Sequence, residues 1–397
     1  MNPFRSWAAR LAAALLLAAC GGGDLPSLPS GAPDTPGNFT SVVSFGDSLS
    51  DVGTYTPATQ LPGTNPPQFF GGRFTTNSAT STVWVENLAA TLGIPVTAAE
   101  VGFNNASVKC PAAATPALAT SCTAYGQGGA RVTDPNGIGR SVDPQTGQPA
   151  GALTVPVVTQ IANHVARFGG FDEDDLILVW AGNNDVFVQF DAFAERAAEA
   201  QAAAAAGQIT PEQANLAVSA ARADAQAAIR QAALELAGYV RDEILARGGR
   251  YVAVMLLSDI ADTPFGLSLP ASARTVLTDL SGTFNQALRE GLARAPVRLV
   301  DTFALGKETF GNPQRFGIAN NTQPACDPAR ISAITGGQVA SGSSLFCNST
   351  PGAPFNGLAA GADPLTWQFA DDVHPTTGGH RVISDAIEGQ LRAFGWI

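Results

Sequence analysis

The chain has 397 residues, 45% of them hydrophobic and only 14% charged, with 42 Gly and 27 Pro. So apolar a chain is neither disordered nor a coiled coil, and its length allows a large core in one domain or two. A formal net charge of −11, from 22 Lys+Arg against 33 Asp+Glu, repels phosphate backbones, so nucleic acid is not an expected partner, and the two lysines, Lys109 and Lys307, make no basic membrane patch.

Arg5 and Arg10 precede an unbroken apolar run at residues 11–19. The run is too short to span a bilayer, which takes about 20 residues, but it suits the core of a secretory signal. It ends Leu17-Ala18-Ala19-Cys20 before Gly21-Gly22-Gly23, which resembles a bacterial lipobox. On that resemblance residues 1–19 are a signal peptide and Cys20 is the lipidated new N-terminus. Gly21 then implies an outer-membrane lipoprotein of the cell envelope, facing the periplasm or the surface; a plain signal peptide on a secreted protein is the alternative. Residues 20–38, rich in Gly, Pro and Ser, read as a linker, and the folded domain is expected over 39–397. Four cysteines remain, Cys110, Cys122, Cys326 and Cys347, as disulfide candidates in an oxidising compartment. Three pairings are open; the local one would staple two loops rich in small residues. No CxxC or Cys/His cluster suggests zinc.

Short apolar runs at 41–45, 176–180, 251–257 and 297–300 read as buried parallel strands separated by helical or loop stretches. That alternation predicts an α/β fold, a three-layer sandwich around a central, mostly parallel sheet. Val85, Leu88, Ala89 and Leu92 have helical spacing, and Gly93 and Pro95 end that helix. Residues 191–247 are dominated by Ala with Glu, Gln and Arg. Gly207 breaks the run, and Thr210-Pro211-Glu212-Gln213 restarts it as a capping box with Pro at the first helical position. This reads as an inserted Ala-rich α-hairpin, 191–206 and 211–247, packed as a helical layer or projecting as a lid or partner surface. Residues 311–369 read as a long functional or disulfide-tied loop. A last helix over 377–394 places Val382, Ile383, Ala386, Ile387 and Leu391 on one face.

Three histidines limit the choice of an imidazole base. His164 lies in a helical pattern and reads as a surface or packing residue, and His380 follows Gly378-Gly379 at the start of the last helix. His374, in Asp371-Asp372-Val373-His374-Pro375, has a carboxylate three residues earlier that can curl back to its Nδ1, and Pro375 keeps the turn from continuing as a helix. Ser48, in Gly46-Asp47-Ser48-Leu49-Ser50-Asp51, follows an apolar strand, which puts its hydroxyl at the carboxyl edge of a parallel sheet, where α/β folds place their sites. The same residues would also serve as a turn and helix N-cap, and the spacing is not the G-x-S-x-G elbow. Gly182-Asn183-Asn184-Asp185 follows another strand in the same way. Gln127-Gly128-Gly129-Ala130-Arg131 offers backbone N–H groups without side-chain bulk.

Taken in order, SFGDSLSDVG, YGQGGARV, WAGNNDVF and DDVHPT resemble the four blocks of the GDSL or SGNH hydrolase family, which carry Ser, Gly, Asn and His. Gly72-Arg73-Phe74 with Val83-Trp84-Val85-Glu86, Phe284-Asn285, and Val300-Asp301-Thr302-Phe303 echo its lipase-like branch. The resemblance covers about residues 39–397; it departs at Ala124, where many relatives carry Asn, and in the hairpin, which is outside the minimal fold. It implies a flavodoxin-like α/β/α sandwich and a serine esterase or lipase acting on small-molecule or lipid esters. Ser48 would be the nucleophile and His374 the base, oriented by Asp371 rather than Asp372. The N–H of Ser48, the N–H of Gly129 and the side-chain amide of Asn184 would form the oxyanion hole. No metal or organic cofactor is expected, and the chain is expected to act as a monomer. The same site would also serve carbohydrate O-deacetylation. A metal-dependent phosphoesterase built on Asp47, Asp51, Asp371 and His374 lacks a second His or a paired-carboxylate motif, and a non-catalytic binding protein would not need the reactive groups.

Overall fold

The computed structural model describes residues 31–60, 70–339, 342–352 and 356–397. The proposed signal peptide and Cys20 lie outside the described residues. In chain order the regular elements are β1 (Ser41–Gly46), α1 (Trp84–Thr91), β2 (Glu100–Phe103), β3 (Ala106–Lys109), β4 (Arg140–Val142), β5 (Pro149–Gly151), α2 (Val157–Phe168), β6 (Asp175–Trp180), α3 (Asn183–Ala205) and α4 (Pro211–Tyr239). They continue with β7 (Tyr251–Met255), α5 (Pro264–Ser268), α6 (Ala271–Leu292), β8 (Arg298–Val300), α7 (Thr302–Gly311), β9 (Asn320–Pro324), α8 (Pro328–Ile334), β10 (Trp367–Phe369) and α9 (Thr377–Ala393).

The four runs expected as strands form one parallel sheet in the order β1-β6-β7-β8. Ser41 to Gly46 align on Asp175 to Trp180, and Leu176 to Val179 on Tyr251 to Val254. Beyond β1, Ser44 bridges Ala124, which extends that edge and ties the glycine block to the sheet. Every residue of β6 and β7 is buried, as parallel strands are when helices cover both faces. Helix α1 packs on α9, while α4 packs on α2, α3 and α6. These are the outer layers of a three-layer α/β/α sandwich.

The hairpin begins earlier than its composition suggests. Helix α3 starts at Asn183 rather than 191, because Gly182 takes a left-handed φ of 118° and turns the end of β6 straight into the helix. The shift to Ala at 191 marks a change of surroundings within one helix. Thr210 caps α4 as expected, its hydroxyl accepting the N–H of Gln213 while the Gln213 side chain accepts the N–H of Thr210. The α-helix ends at Tyr239, and a π-turn and a tighter turn complete the arm to Arg247. Ala225, Ile229, Ala233, Leu236 and Ala237 are buried in the main core, so this half of the arm is a helical layer. Leu216 near the tip is exposed.

Residues 311–369 are not a plain loop. Strand β9 pairs in parallel with β10, and Asp327 caps the short helix α8 by accepting the N–H groups of Ala329 and Arg330. Ala325, Cys326, Ile331, Cys347, Leu358 and Ala370 form a small separate core. Its elements are too short to show periodicity among so many turn residues. The cysteines pair locally, Cys110 with Cys122 and Cys326 with Cys347. Part of the stretch read as linker lies against the domain: the Trp396 indole N–H donates to Pro33 O and the Gly37 N–H to Trp396 O. No helix among the described residues is long and apolar enough to cross a membrane.

Candidate active site

Strand β1 ends at Gly46, where a Cβ would stand 2.2 Å from the carbonyl oxygen of Trp180, so only glycine allows the two strand ends to close this tightly. Asp47 then caps a single turn over Ser48–Ser50, its carboxylate accepting the N–H of Leu49 at 3.1 Å. Ser48 therefore stands at the carboxyl edge of the sheet. His374, 326 positions away, reaches it: Nε2 lies 2.8 Å from Ser48 Oγ. Both Asp371 oxygens lie 2.9 Å from His374 Nδ1. Asp371 also accepts the backbone N–H groups of Val373 at 3.0 Å, His374 at 2.8 Å and Ser344 at 2.8 Å. Asp372 is exposed.

The carboxylate can only accept, so the imidazole proton sits on Nδ1 and Nε2 is left to accept from the Ser48 hydroxyl. Burial works against the charged form of Asp371, but the His374 charge and the hydrogen bonds outweigh it and hold the carboxyl well below the usual carboxylate range. Burial likewise disfavours imidazolium, yet Asp371, with smaller help from Asp47 and Asp51, raises His374 above the ordinary value of 6.5. The Phe74 ring packs against the imidazole, with centroids 4.8 Å apart. His164 and His380 are buried elsewhere, and desolvation pushes them down to about 4 and about 3, so both are neutral packing residues. His164 is therefore not on the surface; it stacks on Phe171 at 4.4 Å.

Asn184 is the second residue of α3, and its Nδ2 donates to Ala130 O at 2.9 Å, which leaves one amide hydrogen uncommitted. Ser48, Asn184 and His374 line one cavity of about 390 Å³, whereas Gly129 does not line it. The two glycines differ in a way the sequence does not reveal. The Gly128 N–H is taken by Asp51 Oδ2 at 2.9 Å. Gly129 has φ +78°, and a Cβ there would stand 1.9 Å from Ile138 O. Among the described residues the N–H groups of Ser48 and Gly129 have no acceptor. Elsewhere the cavity walls are mainly apolar, with Phe187, Ile260, Phe265, Leu305 and Phe310 among them.

Several further residues hold this arrangement through long-range contacts that the sequence does not reveal. Asp51 accepts the N–H groups of Gly53 and Thr54 as well as Gly128, and burial pushes it, like Asp47, up to about 6. Asp185 accepts from Arg131 Nε and from the Val132 N–H, which pins the glycine block to the start of α3. Asn285 bonds both backbone groups of Leu257, and Arg73 pairs with Glu86 at 2.7 Å, so two of the smaller echoes are structural ties. Ser344, three residues before Cys347, joins the stapled segment to Asp371. Asp47, Asp51 and Asp371 spend their oxygens on N–H groups and the imidazole, and among the described residues no cluster of three or more His, Cys, Asp and Glu side chains is placed to hold a metal ion.

The family described as GDSL-like Lipase/Acylhydrolase matches residues 42–387. Over 148 residues the chain is 36% identical to Esterase EstA of Pseudomonas aeruginosa and equally to Esterase EstA of Pseudomonas putida, covering 36% of this chain and 20% of each relative. It is 31% identical over 148 residues to an uncharacterised Pseudomonas putida protein from the trpE-trpG intergenic region, covering 37% of this chain and 22% of that one. The aligned region thus spans about a fifth of the length of the curated relatives it matches.

Proposed function

The chain belongs to the GDSL-like lipase/acylhydrolase family, and from that premise we propose that it hydrolyses carboxylic acyl esters through a serine-bound acyl intermediate. The observation that carries the proposal is the unbroken hydrogen-bonded line from Ser48 Oγ through His374 to Asp371. Ser48 Oγ attacks the ester carbonyl as its proton passes to His374 Nε2. The tetrahedral intermediate collapses when Nε2 returns that proton to the departing alkoxide, leaving the acyl group on Ser48. Water, deprotonated by the same nitrogen, then releases the acid and restores the serine. Asp371 keeps the proton on Nδ1 and stabilises the imidazolium formed twice in each cycle.

The developing oxyanion is proposed to rest on the N–H groups of Ser48 and Gly129 and on the free Asn184 amide hydrogen. Removing one such donor typically costs about 10²–10³ in rate. Asn184→Ala is therefore expected to lower kcat by about that factor with KM little changed. An unchanged kcat in steady-state kinetics would remove Asn184 from the hole.

The apolar cavity beside Ser48 favours an acyl chain over an acetyl group on a glycan. Each buried methylene contributes about 0.8 kcal/mol, so kcat/KM on a series of aryl esters should rise by up to about fourfold per added carbon until the cavity is full. Strict preference for acetyl across that series would instead support carbohydrate O-deacetylation. We further propose that Cys20 carries a lipid that holds the enzyme at the bacterial envelope, on the strength of the Leu17-Ala18-Ala19-Cys20 motif. Metabolic labelling with a fatty-acid analogue should mark the parent chain and leave Cys20→Ser unmarked; equal labelling of both would end this assignment.

A further inference from the structure

The sheet is parallel, so it has one edge where all four strands begin and one where they end. The catalytic cavity is built at the second edge: Ser48 follows β1, Asn184 follows β6, Ser258 and Asp259 follow β7, and Thr302 follows β8. The N-terminal strap, residues 31–40, lies at the first. Arg298 opens β8 and Tyr251 opens β7; Arg298 Nη2 donates to Pro33 O at 3.3 Å, and the Tyr251 hydroxyl donates to Pro36 O at 3.3 Å. Trp396, fully buried, donates its indole N–H to Pro33 O at 2.8 Å and accepts the Gly37 N–H on its carbonyl at 2.9 Å. The Phe39 ring meets Tyr251 edge-on at 5.0 Å, and the Thr40 N–H donates to Asp174 O just ahead of β6. We propose that this mount turns the catalytic edge away from the membrane that holds Cys20, so that the substrates are esters arriving from the water rather than lipids of that same leaflet. The inference rests on the lipid at Cys20 and the Ser48 nucleophile proposed above.

The argument is one of reach. Thirteen residues lead from Cys20 to Pro33. A chain of that length spans at most about 45 Å when fully extended and averages about 20 Å when it is free to coil. A domain of this size is about 50 Å across. With the catalytic edge pressed on the bilayer, Pro33 would stand about 50 Å above it, and the path back around the domain would be about 80 Å. Thirteen residues cover neither distance. Releasing the strap from its contacts does not rescue that pose, because β1 itself begins at the same edge: the chain from Cys20 to Ser41 spans at most about 70 Å, still short of the path around. With the strap edge facing the bilayer, the same thirteen residues reach it without strain. The net charge of −11 gives an anionic leaflet no attraction that would pull the domain over.

The test uses the full chain, purified with its lipid and bound to phosphatidylcholine vesicles, and two fluorogenic probes: a soluble aryl butyrate, and the longest-chain aryl ester that the enzyme cleaves in detergent. The vesicle-bound parent should cleave the soluble ester at its detergent rate, and the long-chain ester held in its own bilayer at least about tenfold more slowly than in detergent. Inserting about 60 Gly and Ser residues between Gly23 and Asp24 raises the average reach to about 45 Å and the full reach well past the path around the domain. That variant should cleave the long-chain ester in its own bilayer at least about tenfold faster than the parent does, with the soluble rate unchanged. Own-bilayer cleavage by the parent within about threefold of the detergent rate, or no gain on insertion, would overturn the inference. The two premises fail separately. No cleavage of the soluble ester removes the hydrolase, failure to float with the vesicles removes the anchor, and either result takes the inference with it.

Discussion

Ser48→Ala is expected to lower kcat on an aryl ester by about 10⁴- to 10⁶-fold while leaving KM within about threefold of the parent. The methyl group that remains cannot attack a carbonyl, so only the oxyanion donors and the positioning of substrate against water still act. KM holds because the walls that would carry the acyl chain, Phe187, Ile260, Phe265 and Phe310, do not depend on the hydroxyl. The same logic makes the loss non-additive. His374→Ala should cost about as much as Ser48→Ala, and the double variant little more than either, because the two side chains act as one unit across a 2.8 Å hydrogen bond. Additive losses in steady-state kinetics would mean that Ser48 and His374 serve separate steps.

Asp371→Asn is expected to cost about 10⁴ in kcat. The amide oxygen, placed at Oδ1, could still accept from the Val373 and His374 N–H groups, so the turn is expected to hold while the Ser344 N–H loses its acceptor at Oδ2. The amide does not compel the imidazole to keep its proton on Nδ1, and a proton on Nε2 blocks acceptance from Ser48. The pH dependence gives a second reading of the same change. In the parent, His374 must be neutral to take the serine proton, and its pKa lies above 6.5 because Asp371 outweighs burial. Activity should therefore fall as pH drops through a value higher than that of an ordinary histidine. In Asp371→Asn burial is left unopposed by that charge, so the acid limb of residual kcat/KM should move to lower pH. A limb that stays in place would show that Asp371 does not set the imidazole's charge.

The sheet was legible because its strands are apolar runs of uniform character, and a parallel sheet buried on both faces permits nothing else. The terminal cap of α4 was legible because Thr210-Pro211-Glu212-Gln213 satisfies its own backbone donors locally. The start of α3 was not, because Gly182 reverses the chain at a position where the composition does not change. Nor was the small core around Cys326 and Cys347, whose elements are held by a disulfide and by one another rather than by any repeating pattern. In the site, Ser48 and His374 could be named from local spelling plus their order in the chain. The functions of Asp51 and Asp185 could not, since each acts by accepting N–H groups from a segment more than fifty residues away. The proposal of Gly129 over Gly128 draws on the same fact, because Asp51 consumes the Gly128 N–H. The preference for Asp371 over Asp372 rests on its place three residues before His374 together with the family resemblance, and only three-dimensional structure adds the Ser344 N–H that braces its second oxygen.

Intact-mass and peptide mapping after exposure to a fluorophosphonate measures the activation of Ser48 directly, without assuming any substrate. The geometry predicts a single adduct on the peptide that carries Ser48, loss of esterase activity in proportion to labelling, and no adduct in Ser48→Ala or His374→Ala. An unlabelled Ser48 in a chain that still cleaves esters, or an adduct on a different serine that accompanies inactivation, would contradict it.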